Sequence, residues 1–180
     1  MAFLTQSLTT HSPARGSALQ VADRSHVVAV NTQSKRSSMT GYRVGFIAGA
    51  PDVIAALKLY RPLAGTAIPE FIQRASIAAW GREDHVDAMR RVYAEKREVF
   101  VDFFRRKGIR IAGSQATFYL WGEVPAGETS ESFAARLLDV GVVVAPGSFF
   151  GDAGEGYFRL ALVPTTEDCR RAVALLESIL

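Results

Sequence analysis

The hydrophobic pattern changes character twice along the chain. An opening at 1–16, rich in Ser and Thr, shows no clear period and reads as an irregular tail. Two short apolar runs follow, 26–32 (HVVAVNT) and 45–49 (GFIAG). Continuous apolar runs of this length predict buried strands of the kind found in parallel sheets. Between them lies a polar segment, SKRSSMTGYR. Strand, polar loop, strand is where α/β proteins place chemistry.

From Pro51 the period lengthens to that of helices. Pro51 suits a first helical position. Two prolines and a glycine at 61–69 predict a loop, and 70–80 returns to helix. The stretch 83–107 predicts one long amphipathic helix, with Val86, Met89, Val92, Tyr93, Val99, Phe100 and Phe103 at three- and four-residue spacing. Gly108 suits its C-terminal cap. Beyond it, strands are expected at 109–112, 116–124, 142–145 and 157–163. Helices are expected from a Thr129 or Ser130 cap to about 140, and over 165–180. Two regions result after the tail. Residues 17–82 hold too few strands for a sheet of their own, whereas 83–180 reads as an α+β domain able to close its own core.

Composition adds exclusions. Of 180 residues, 48% are hydrophobic and 22% charged, as in ordinary globular proteins. The net charge of +3 comes from scattered basic residues, which argues against a nucleic-acid partner. A single cysteine, Cys169, excludes an internal disulfide and a cysteine metal cluster. No apolar run reaches 18 residues, so no membrane span is expected, and the cytoplasm is the expected location.

Candidate chemistry concentrates at 32–46, TQSKRSSMTGYRVGF. Lys35 follows an apolar strand. Hydroxyls surround it at Thr32, Ser34, Ser37, Ser38 and Thr40, and Arg43 stands at the entrance to the next strand. Hydroxyls, loop N–H groups and an arginine can cup a phosphate. A lysine beside them can condense with an aldehyde when burial or nearby positive charge lowers its pKa. An aldehyde and a phosphate together describe pyridoxal phosphate. A basic, Ser-rich surface turn is the plainer reading of a lone lysine near serines.

The full string resembles the active-site signature of the class I/II aminotransferases of fold type I. In these enzymes a lysine preceded by small hydroxyl residues is followed by Gly-x-Arg-x-Gly. Lys35, Ser38, Met39, Gly41, Arg43, Val44 and Gly45 fit; Thr32 and Gln33 depart, the family having Ser or Gly at the first and an apolar or small residue at the second. The phrases YRPLAGTAIPEFIQRASIAAW, ATFYLWGEVP, VVVAPGSFFG and GEGYFRLALVPTTEDC extend the resemblance over 17–180. It implies an α/β fold of type I, represented by the C-terminal part of the large domain at 17–82 and the small α+β domain at 83–180. Pyridoxal phosphate is the implied cofactor and no metal is. Lys35 is the implied catalytic and cofactor-bearing residue, with Thr32, Ser34 and Arg43 on the phosphate. Arg159, a charge inside an apolar strand, is implied to bind the substrate carboxylate; an edge-strand arginine facing solvent is the plainer reading.

The implied reaction exchanges an amino group between an amino acid and 2-oxoglutarate, with N-succinyl-diaminopimelate the expected donor, in a homodimer. Members of the family are about twice as long. Their N-terminal half brings a phosphate loop, a ring-stacking aromatic, an asparagine and an aspartate for the pyridine nitrogen. The chain alone is therefore expected to be inactive, with 1–16 outside the family sequence. A non-catalytic remnant, another aminotransferase or a β-lyase are the alternatives.

Overall fold

The computed structural model describes residues 17–65, 67–115 and 117–180, which form two compact units, 17–88 and 89–180. The division falls inside one continuous helix rather than at 82/83.

In the first unit a capped 3₁₀ turn at Ala18–Gln20 precedes β1 (Val28–Thr32), the single-turn helix α1 (Gln33–Arg36), a 3₁₀ turn at Thr40–Tyr42 and β2 (Gly45–Gly49). Helices α2 (Pro51–Leu63), α3 (Glu70–Trp80) and the start of α4 (Asp84–Arg106) follow. Both strands lie where the hydrophobic pattern placed them, but their setting differs. They pair antiparallel, Val28 opposite Gly49 and Thr32 opposite Gly45, because the intervening segment folds straight back instead of crossing over. Antiparallel neighbours need only such a return, whereas parallel ones need a crossover. Nor are they buried: Val28 is 43% and Val30 59% exposed. Two-sided burial requires elements packed on both faces of a sheet; this one has two strands among the described residues and leaves Val28 and Val30 open.

Helix α2 also runs past the loop expected from Arg61. Pro62 sits in its last turn, where one missing N–H costs a single intrahelical bond, and the Ala64 N–H still donates to the Tyr60 carbonyl at 3.1 Å. The described hydrophobic residues that are fully enclosed in this unit are Val44, Ala50 and Val86, while Leu59, Leu63, Phe71 and Ile77 lie largely exposed on α2 and α3.

The second unit closes its own core. The remainder of α4 is followed by β3 (Ile111–Ala112), β4 (Tyr119–Glu123), α5 (Ser130–Asp139), β5 (Ala145–Pro146), 3₁₀ turns at Gly147–Phe150 and Asp152–Gly154, β6 (Tyr157–Ala161) and α6 (Thr166–Leu176). The strands form one antiparallel sheet in the order β3-β4-β6-β5. Alternation sends Leu120, Phe158 and Leu160 to one face, against Phe103 and Phe104 of α4, Phe133 and Leu137 of α5, and Cys169 and Leu176 of α6. Burying each large side chain of this set contributes about 1.5–3 kcal/mol. Gly122 lies opposite Phe158; a Cβ there would stand 2.4 Å from the phenyl ring, so only glycine lets the ring lie flat on β4.

Helix α4 ends as its sequence announces. Gly108 takes φ +72°, and the N–H groups of Ile109 and Gly108 return to the carbonyls of Phe104 and Arg105 at 2.8 and 3.1 Å, a Schellman closure. The same device at the end of α5 explains why the strand expected at 142–145 is short. The Val142 N–H is committed to the Leu137 carbonyl at 3.0 Å, so sheet pairing starts only at Ala145. Among the described residues no helix is long and apolar enough to cross a membrane, and no cluster of His, Cys, Asp or Glu could hold a metal ion.

Candidate active site

Lys35 sits in α1, directly after β1. The polar sequence forms a helical turn here because Thr32 caps it: its Oγ1 accepts from the Ser34 N–H at 3.1 Å, and the Ser37 N–H closes the turn on the Gln33 carbonyl at 3.0 Å. Gln33 and Arg36, three positions apart, share one face and are both buried, whereas Lys35 is exposed and Ser34 half-buried. Gln33, the departure from the resemblance, thereby acquires a structural part. Its Nε2 donates to the Ser76 carbonyl at 2.8 Å and approaches the Ser76 hydroxyl at 3.1 Å. Its amide oxygen has no hydrogen-bond partner among the described residues, which is what a polar side chain costs at a position that accepts an apolar one.

Arg36 carries the other half of the attachment. One guanidinium nitrogen donates to the Ala79 carbonyl at 2.9 Å and to the Ser37 hydroxyl at 3.2 Å; the other donates to the Arg82 carbonyl at 3.2 Å and to Glu83. The guanidinium also lies 4.5 Å from the Trp80 ring centroid. A cation meeting the last carbonyls of α3 is favoured by the helix dipole. His85 places Nε2 3.0 Å from the Ser37 hydroxyl.

The other expected phosphate contacts lie on the same loop. The Thr32 hydroxyl stands 3.0 Å from the Val44 carbonyl and 3.1 Å from the Ser34 hydroxyl; its single proton serves one of them at a time. Thr32 is thus first a capping residue, and Ser34 offers the freer hydroxyl. Arg43 is exposed, takes the left-handed conformation (φ 51°) and donates one Nη to the Thr40 carbonyl at 3.1 Å. Ser38, at φ 54°, is a second left-handed residue in this loop. A cavity of about 620 Å³ between β2, α2 and α3, with Lys58 and Arg61 on its wall, does not include Lys35.

Arg159 belongs to the second unit. Its strand, β6, lies between β4 and β5, so Arg159 is not on an edge. It faces away from the core, opposite Trp121 on one side and Ala145 on the other. Its guanidinium carbon lies 4.5 Å from the ring centroids of both Tyr119 and Phe150. Among the described residues it has no hydrogen bond or ion pair. Trp121 is stacked on Tyr157 at 5.6 Å and meets Phe150 edge-on at 5.4 Å. With Tyr119, these rings form an aromatic surface beside the cation. Nothing in the sequence spacing marks Phe150 as Arg159's neighbour, because the contact depends on the loop between β5 and β6.

That loop is tied down at Glu155, whose carboxylate accepts from the Ser130 N–H at 2.8 Å and the Ser130 hydroxyl at 2.7 Å. The backbone bond and then the hydroxyl bond from Ser130 hold the carboxyl below its ordinary range. A lowered folded-state pKa contributes stability that is present above the unfolded value of about 4.3 and is lost as pH falls through the folded one. Glu155→Gln is therefore expected to lower the melting temperature at neutral pH and to flatten its fall below about pH 4. Parallel melting curves for the two proteins from neutral into acid would show instead that Glu155 does not carry that dependence.

Comparison with known proteins bears on the same residues. The family model described as "Aminotransferase class I and II" matches residues 2–176, a span that includes most of the segment read as a tail. The chain belongs to the class I and II aminotransferases. It is 39% identical over 155 residues to the LL-diaminopimelate aminotransferase of Moorella thermoacetica, covering 85% of this chain and 40% of that protein. An aminotransferase from Neisseria meningitidis superposes with a TM-score of 0.79 at 36% identity, over 86% of this chain and 41% of that one. The probable N-succinyldiaminopimelate aminotransferase of Thermus thermophilus superposes with a TM-score of 0.80 at 27% identity, over 96% and 47%. The chain thus spans about 40% of the length of the curated aminotransferases it matches. Residues 1–16 lie outside the described residues.

The class I and II aminotransferases depend on pyridoxal phosphate, and the chemistry of the lysine loop fits that group. Lys35 offers an amine for the aldehyde end. Ser34 and Arg43 offer a hydroxyl and a guanidinium for the phosphate end.

Proposed function

We propose that this chain carries the lysine, phosphate-binding and carboxylate-binding residues of a transaminase that moves an amino group from a diaminopimelate-type donor to 2-oxoglutarate. The attachment of α1 is the observation that carries this reading. Gln33 and Arg36 are buried and bonded to α3, which leaves Ser34 and Lys35 facing outward on a fixed turn. A surface turn with no ligand to hold gains nothing from two buried polar anchors, since each must be desolvated.

When bound, pyridoxal phosphate supplies an electrophilic aldehyde and a ring that takes up the electron pair released at the donor's α-carbon. This chain's residues would do the rest. Arg43 and Ser34 hold the phosphate by charge-assisted bonds, with Thr32 keeping the turn and the Ser34 hydroxyl in place. Lys35 Nζ would hold the aldehyde end of the cofactor, and its amine would take the donor's α-proton and return a proton as general base and acid. Arg159 receives the α-carboxylate. The diaminopimelate names among the relatives support the donor class; N-succinyl-diaminopimelate is the donor we favour within it, and a homodimer in the cytoplasm belongs to the same reading.

The test joins this chain to the N-terminal portion of an LL-diaminopimelate aminotransferase, restoring the relatives' length. Incubation with pyridoxal phosphate, borohydride reduction and peptide mass spectrometry should place the label on Lys35. A label on Lys58 or Lys96 in its stead rejects the assignment. In the same protein Arg159→Lys should lower kcat/KM for the amino donor about thirtyfold, roughly 2 kcal/mol, as a two-pronged contact becomes a point contact. Labelling of Lys35 should be unaffected. Equal kcat/KM would place the carboxylate elsewhere.

A further inference from the structure

Arg159's surroundings are unusual for a cation on an interior strand. The guanidinium meets two aromatic rings, each at 4.5 Å. Tyr119 comes from β4, and Phe150 from the 3₁₀ turn after β5. Rings attract a guanidinium through their faces, and a guanidinium held over two rings in this way can keep its N–H edge for another partner. That edge has no acceptor among the described residues. A planar donor edge without an acceptor is suited to a carboxylate.

The second ring is held where it is by the loop's own construction. Gly147 and Gly154 approach so closely that a Cβ on Gly147 would stand 1.8 Å from the Gly154 carbonyl oxygen, so no other residue closes this loop at the same spacing. Ser130 clasps Glu155 at the loop's far end. Trp121, edge-on to Phe150 and stacked on Tyr157, backs the ring from the sheet. Phe150 is nonetheless 48% exposed. An aromatic ring fixed at this exposure and packed over a cation serves the cation more than the core.

We infer that Tyr119 and Phe150 are positioning residues that hold the Arg159 guanidinium in one plane, with its donor edge presented to a ligand carboxylate. The inference rests on the reading of Arg159 given above and extends it. A flexible arginine loses rotamer freedom when it binds; one already stacked has lost that freedom on folding, so more of the carboxylate interaction appears as affinity. The rings also keep water from the cation's faces, which strengthens the contact at its edge.

The test uses the 180-residue chain and glutarate, a dicarboxylate probe, with the Arg159 side-chain Nε–Hε signal as NMR reporter. In the unsubstituted chain that signal should show ring-current displacement and move on glutarate addition. In the double variant Tyr119→Leu/Phe150→Leu the displacement should vanish and the glutarate Kd should rise about tenfold. The double variant Tyr119→Leu/Phe150→Tyr restores one ring and should recover part of both, which loss of fold would not allow. An unchanged Kd with the displacement abolished overturns the positioning inference alone. An Arg159 signal that ignores glutarate in the unsubstituted chain overturns the carboxylate reading, and this inference with it.

Discussion

Lys35→Ala, in the chain extended to its relatives' length, is expected to slow transamination by about 10²–10⁴-fold from lost proton transfer alone, and more with the covalent route removed. The α-proton of a donor amino acid needs a base at the right place and an acid to return it, and Lys35 is the one lysine on the loop that joins β1 to β2. Its backbone is fixed by the turn on which it sits, while its side chain is exposed. Reduction with borohydride should leave no label on the 32–43 peptide. Added methylamine should restore part of the rate, because a small amine can occupy the space of the missing side chain and move the same proton. A variant that keeps more than about a tenth of the rate would remove Lys35 from the proton path. It would also require another lysine of the first unit, Lys58 on α2, to be examined as the base.

Much of this site is legible in the sequence. The strand, lysine, hydroxyls and Arg43 all lie within one short segment, and local patterns report well on local structure. Helices α3 and α4 and the caps at Thr129, Thr165 and Gly108 fall where periodicity and capping chemistry put them. What fails is non-local. The two apolar runs are strands, as expected, but with other partners, because the hydrophobicity of a strand reports that it can be covered and not by what. The loop expected at 61–69 begins later than its first proline suggests, since proline is tolerated in a last helical turn. The rings around Arg159 are invisible for a different reason: Tyr119, Trp121, Phe150 and Tyr157 come together only through sheet register and the tight 147–154 loop. Gln33 reads as a defect because its partner, Ser76, is 43 residues away.

Arg36 escapes notice in the sequence for the same reason, and it leads to the largest stability effect expected in the first unit. Its side chain is 2% exposed. Four groups accept from it, and three of them, the Ala79 carbonyl, the Arg82 carbonyl and Glu83, lie at or beyond the end of α3. Truncation to alanine removes these bonds, the contact over Trp80 and the packing of the aliphatic stem. The stranded carbonyls and the cavity together should cost about 3–5 kcal/mol. Glu83 is 62% exposed, so the ion pair itself supplies the smaller share, within about 1 kcal/mol. Glu83→Gln and Arg36→Ala should therefore differ sharply. Hydrogen exchange at the Ser37 and Gly81 amides, bonded to backbone carbonyls at 3.0 and 3.1 Å, should accelerate about a hundredfold or more in Arg36→Ala. It should change only slightly in Glu83→Gln. Arg36→Lys should fall between them, since a point charge can reach one carbonyl but cannot bridge several while staying over the indole. Equal effects of Arg36→Ala and Glu83→Gln would make the exposed ion pair the true anchor. The lysine turn would then be held from solvent-facing charge, and its attachment would weaken with salt; carbonyl capping of α3 predicts no such dependence.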